Sequence, residues 1–194
     1  MAEVFLHLEL DNRGLKAKII EQDHKQTIIE NQCHVLYKDL PDVKSGTKEK
    51  IDTFEAGMNI IARELDLEPC SKATVFVSDL LISFRNLELP FKSQKKIEQV
   101  LPFELETHLP GTDETYISDF HMLDSADDSN LILSASIAES LVEKIFLKFA
   151  EYTIVPKIIT PLGYAAAIGF LSESSKLKEP EKLSDFAFLH ATDC

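Results

Sequence analysis

Six histidines, at positions 7, 24, 34, 108, 121 and 190, are the side chains best suited to hold a metal, and no two stand at HxxxH or HExxH spacing. His7 and His121 fall in alternating, strand-like runs and His24 in a turn, where a histidine serves structure. Cys33, Cys70 and Cys194 are odd in number and widely spaced, with no CxxC. That pattern fits a reducing compartment rather than a disulfide framework. Glu98, Glu104 and Glu106 gather in one segment, but carboxylate spacing on a helix first makes a solvated face, not an acid–base pair. Neither a Walker A loop nor a GxSxG elbow occurs. Residue types alone mark no active site.

The 194 residues are enough for one large domain or two small ones with a real core. Apolar residues make up 44% and charged residues 27%, the balance of a globular protein. The 33 acidic residues against 20 basic give a net charge of −13. This excludes a nucleic-acid surface, which needs a positive footprint, and binding to anionic lipid through the bulk surface. No apolar run approaches the ~20 residues that span a bilayer. Met1-Ala2-Glu3 lacks the basic start of a signal peptide. A cytoplasmic chain is expected, attached to a membrane through a partner or through sequence outside this chain.

The elements that would position any site follow from periodicity. Val4, Leu6, Leu8 and Leu10 alternate with Glu3, Phe5, His7 and Glu9, and Leu15, Ala17 and Ile19 fall on one face of a second strand over residues 15–21. Asp11-Asn12-Arg13-Gly14 between them reads as a tight turn, since Asn and Gly tolerate positive φ. A third strand over 27–38 completes a meander. Ile51, Phe54, Met58, Ile61 and Leu65 trace the apolar stripe of a helix over 47–67, ahead of a strand at 73–77. Strands are also expected at 116–123, 131–137 and 155–159. Ser136 with Glu139 suggests a capping box opening a helix, and Thr160-Pro161 a cap and first turn of another over 162–171. Residues 172–185 form a charged linker, and a further strand begins at Phe186. The order strand, helix, strand, strand, helix over 82–150 suffices for a small α/β unit of its own.

The chain is organised around residues 82–110. An alternating strand over 82–89 closes at Pro90, and Ser93 offers a hydroxyl to cap a helix. Ile97, Val100, Leu101, Leu105 and Leu109 then keep helical spacing, with Pro102 inside. A proline there must kink the helix or restart it as its first residue. The run Arg85-x-Leu87-x-Leu89-Pro90-Phe91, Lys95-Lys96-Ile97-Glu98-Gln99-Val100-Leu101-Pro102-Phe103-Glu104-Leu105-Glu106 and Leu109-Pro110 resembles the cytoplasmic part of type II secretion protein L and its relative, the type IV pilus assembly protein PilM.

That resemblance implies an α/β fold with a ribonuclease H-like, actin-like first lobe and an inserted small α/β subdomain. Residues 1–81 with 153–185 would form the first lobe, 82–152 the insertion, and 186–194 the start of a second lobe. Actin-like ATPases place their first phosphate loop at the turn occupied here by Asp11 to Lys16. Asp11 matches the pattern, but Gly14 comes one place late and no Ser or Thr follows. The resemblance thus implies a degenerate phosphate loop of Asp11, Gly14 and Lys16, with ATP and magnesium relevant only to a longer protein whose second loop lies beyond Asp193. The implied function is a non-catalytic scaffold linking the secretion or pilus assembly ATPase to an inner-membrane platform or PilN-like protein. It leaves room for a homodimer. Arg85, Glu98, Phe103, Glu104 and Glu106 are the expected partner-binding residues. The alternative is a nucleotide-binding actin-like ATPase.

Overall fold

Leu6, Leu8 and Leu10 leave one side of strand β1 (Glu3–Leu10) and are buried, as the alternation requires. The computed structural model describes residues 2–24, 26–40, 52–91, 93–109, 114–125 and 129–174. By contacts the chain forms two compact units, residues 1–79 with 154–194, and residues 80–153.

In the first unit β1 pairs antiparallel with β2 (Gly14–Gln22), and β2 with β3 (Thr27–Leu36). The meander therefore forms, although the third strand stops at Leu36 and a 3-10 turn takes Tyr37–Asp39. Helix α1 (Thr53–Glu64) is shorter than the stripe predicts; the expected start at residues 47–51, with Ile51, lies outside the described residues. Its N-cap is Asp52, whose carboxylate accepts the Glu55 N–H at 3.1 Å. Phe54, Met58 and Ile61 are its buried stripe. Strand β4 (Lys72–Val77) runs parallel to β1, and β8 (Val155–Pro161) parallel to β4, giving the order β3-β2-β1-β4-β8.

Thr160 and Pro161 do not open the last helix. Pro161 pairs with Val77 at the end of β8, an edge strand where a missing N–H costs no ladder bond on the free side. Helix α4 (Leu162–Ser174) follows and runs past Leu171 into the expected linker; the rest of the linker and Phe186 lie outside the described residues. The Gly163 N–H donates to Asp79 Oδ1 at 3.3 Å, so a carboxylate meets the first turn of α4.

The second unit has an antiparallel sheet of order β5-β7-β6, from β5 (Ile82–Leu89), β6 (Tyr116–Ser125) and β7 (Asn130–Ala138), with helices α2 (Gln94–Glu106) and α3 (Glu139–Glu151). Ile97, Leu101 and Leu105 of α2 close on Leu89 and Ile132, with Leu87, Phe91, Leu109 and Phe120 against them. Helix α2 neither stops nor restarts at Pro102 but runs through it to Glu106. Pro102 lies on the exposed side, so the Glu98 carbonyl it leaves without an N–H partner meets water, while Ile97, Leu101 and Leu105 anchor both halves. The Ser93 hydroxyl makes no cap bond; its carbonyl instead accepts the N–H groups of Lys96 and Ile97.

The expected capping box at Ser136 does not form either. Ser136 sits within β7 and its hydroxyl bonds the Ser118 hydroxyl at 2.8 Å across the β6–β7 pair. Helix α3 is opened by a backbone bond, Glu139 N–H to the Thr115 carbonyl. It ends at Thr153, whose φ of 57° is the left-handed conformation usual after a helix.

Candidate functional site

The turn between β1 and β2 is closed by its own backbone. The Asp11 N–H donates to the Gly14 carbonyl at 3.0 Å, and the Tyr37 N–H to the Arg13 carbonyl at 2.8 Å. Neither Asn12 nor Gly14 adopts the left-handed conformation expected of them. Gly14 is needed for space: a Cβ there would lie 2.3 Å from the Val35 carbonyl oxygen of β3. Asp11 Oδ1 accepts the Asn12 N–H at 2.6 Å, and Oδ2 lies 3.4 Å from the Arg13 guanidinium.

Lys16 belongs to a different group of charges. Its ammonium is 3.7 Å from Glu9, which also holds Lys18 at 3.0 Å. Behind the turn, burial pushes the Tyr37 hydroxyl pKa well up, and the carboxylates of Asp52 and Asp11 push it further. The structure thus brings Asp11 and Gly14 into one turn without Lys16. Among the described residues no group of His, Cys, Asp and Glu could hold a metal ion.

Helix α2 and the strand before it carry the other expected residues. The Arg85 guanidinium donates to the Phe84 carbonyl at 2.7 Å and to the His108 carbonyl at 3.1 Å, tying β5 to the chain leaving α2. Glu98 accepts from Gln94 at 3.0 Å, one helical turn before. Two residues from both Leu101 and Leu105, Phe103 points away from the core and is 73% exposed. Exposed Gln99 and Glu106 neighbour it at i−4 and i+3, with exposed Pro102 and Glu104 beside it. Phe103 and Glu106 therefore share the outward side of α2 and Glu98 and Glu104 are exposed on its two flanks, whereas Arg85 is engaged within the unit.

His7 sits between two aromatic rings. Its ring lies 5.3 Å from that of Phe5 and 5.3 Å, edge-on, from that of Phe76. Burial lowers its pKa, the Lys18 ammonium lowers it further, and Glu9 partly opposes them. A folded-state pKa below the ordinary value favours the neutral ring, so its stabilisation is complete above about pH 6.5 and declines as pH falls through that value. Denaturant titrations at about pH 7.5 and about pH 5.5 should show a smaller acid loss for His7→Phe than for the parent. An equal loss in both would contradict this.

No family model matches the chain, and no curated protein matches it. Solved structures do. The chain superposes on the PilM–PilN type IV pilus biogenesis complex with a TM-score of 0.65 at 16% identity, covering 87% of this chain and 50% of that one. A Bacteroides thetaiotaomicron protein of unknown function with an actin-like ATPase fold gives 0.50 at 13%, over 90% of this chain and 58% of that one. The cytoplasmic domain of EpsL, an inner-membrane component of the Vibrio cholerae type II secretion system, gives 0.49 at 12%, over 82% and 57%. The chain spans between 50% and 58% of the length of these chains. It has the mixed α/β, actin-like fold that the run at 85–110 implied. Among the described residues no helix is long and apolar enough to cross a membrane.

Proposed function

We propose that the chain is a non-catalytic scaffold of a bacterial type II secretion or type IV pilus machine, cytoplasmic and at the inner membrane. It would hold the machine's ATPase next to an inner-membrane protein of the PilN kind. Residues 82–152 would be the module that presents the binding surface on a first lobe built from residues 1–81 and 153–185, with residues 186–194 opening a second lobe. The observation that carries this reading is the turn at Asp11–Gly14: it bonds to itself, lies among carboxylates and has no hydroxyl, which is poor equipment for phosphate. The outward side of α2, with Phe103 exposed among acids, supplies what a protein partner needs.

Calorimetry of the chain with the cytosolic N-terminal peptide of a PilN protein, and with the N-terminal domain of the assembly ATPase, should give saturable binding to at least one. Phe103→Ala should weaken it about tenfold, the value of one aromatic anchor. Absence of both interactions would sink the proposal. So would tight magnesium-ATP binding that disappears in Asp11→Ala, which would make the chain a nucleotide-binding actin-like ATPase instead.

A further inference from the structure

The central strand of the second sheet is patterned against expectation. Asn130, Ile132, Ser134 and Ser136 of β7 point to the side covered by α2 and are all but fully buried. Leu131, Leu133, Ala135 and Ile137 point to the opposite side. An antiparallel sheet with one wet face normally reverses this, apolar in and polar out. Polar bonds hold the register: Ser136 to Ser118, Ser134 to the Arg85 carbonyl, and the Asn130 amide to the Phe91 carbonyl. A one-residue slip would break all three.

The outward face is wider than one strand. Pairing places Ile82 and Phe84 of β5, and Ile117 of β6, beside that row, with Leu123 at the bulge farther along. Ile117 is 45% exposed at one end of this face, and Leu123 50% and Leu131 39% at the other, with partly exposed Leu133, Ala135 and Ile137 between them. Among the side chains described on these rows the ionisable ones are Glu88, Asp119 and His121, with no lysine or arginine. Glu88 accepts from the Ser129 hydroxyl, and Asp119 from the Phe120 N–H, so both carboxylates have neutral partners there.

We infer that this face binds a basic amphipathic helix of a partner protein, its apolar stripe along Leu131, Leu133 and Ile137 and its cations toward Glu88 and Asp119. Size selects a helix. Three strands about 4.8 Å apart span roughly 10 Å, the diameter of one helix. Charge selects a basic one, since a second copy would bring the same acidic face and no cation of its own. The inference rests on the scaffold reading and names the chemistry of one partner, on a different side of the sheet from α2.

The probe is a synthetic helix of roughly eighteen residues with Leu at i, i+3, i+4, i+7 and Lys elsewhere, beside its Leu/Glu counterpart. Added to the full chain with labelled methyl groups, the Leu/Lys peptide should shift Ile117, Leu123, Leu131 and Leu133. The Leu/Glu peptide should not. Leu131→Glu should weaken binding at least tenfold. The exposed pair Glu88→Lys and Asp119→Lys, which touches no core residue, should transfer preference to the Leu/Glu peptide. Shifts confined to the surroundings of Phe103, or undiminished binding by the charge-reversed variant, would overturn the inference. Self-association in sedimentation that Leu131→Glu abolishes would overturn it too, assigning the face to a second copy. The PilN and ATPase titrations use other ligands and report on α2, so failure of this inference and failure of the scaffold reading give different results.

Discussion

Pro102→Ala is expected to stabilise the second unit by about 2 kcal/mol. Proline inside a helix is less favourable than alanine by ~3 kcal/mol, because it lacks the N–H for the carbonyl four residues back and its ring crowds that turn. Nothing in the packing opposes the change: Pro102 is exposed, and Ile97, Leu101 and Leu105 bury the other side of α2. The opposing term is the stiffness that proline gives the unfolded chain, worth about 0.4–1 kcal/mol. Hydrogen exchange over residues 97–106, together with a denaturant midpoint, would read the gain. An unchanged or lowered midpoint would mean that the ring makes contacts the exposed position does not suggest.

A residue kept at such a cost invites a functional reason, and Phe103 stands next to it. If the proline stiffens the helix where Phe103 is presented, Pro102→Ala should weaken peptide binding while raising stability, a trade known for binding and active sites. Simple truncation of a structural residue would lower both.

How much of this was legible in the sequence depended on how far each residue's partner lies along the chain. Leu6, Leu8 and Leu10 showed their face by alternation alone, and Phe54, Met58 and Ile61 by helical spacing, because those signals are local. Ser136 carried an equally local signal, a hydroxyl three residues before Glu139, and it misled. Its partner is Ser118, eighteen positions earlier and across a strand pair. Thr160-Pro161 has the syntax of a helix start, which an edge strand also permits. Arg85 reaches the carbonyl of His108, 23 positions away, so its guanidinium read as available from sequence.

The outward row of β7 is the subtlest case. Alternation in LILSASIA marks two faces without saying which is inside, and hydrophobicity assigns Leu131, Leu133 and Ile137 to the core. The choice is made by β5, whose Leu87 and Leu89 face α2 and pair with Ile132 and Asn130. Register with a distant strand overrode the local preference. The apolar row that resulted is the surface on which a partner helix is inferred.

Gly14→Ala should be the most damaging small change in the first unit, lowering stability by about 3 kcal/mol, with Gly14→Val worse. A glycine in a strand usually costs ~0.5–1 kcal/mol relative to alanine, so the replacement would stabilise if room existed. Here the added Cβ would lie 2.3 Å from the Val35 carbonyl oxygen and 3.2 Å from the Leu36 Cα, both backbone atoms that cannot rotate away. Relief requires β3 to move from β2, yet Gly14 pairs with Leu36 and buried Leu15 with buried Val35. Overpacking of this kind costs 1–3 kcal/mol where side chains can yield, and more where backbone must. The substitution also separates the two functional readings of the turn. A phosphate-binding glycine would lose magnesium-ATP affinity and keep its fold, whereas a packing glycine loses the fold and has no affinity to lose. A thermal melt of Gly14→Ala beside Asp11→Ala decides: the first should fall by several degrees or more while the second changes little, and a parent-like melt for Gly14→Ala would return the turn to the nucleotide.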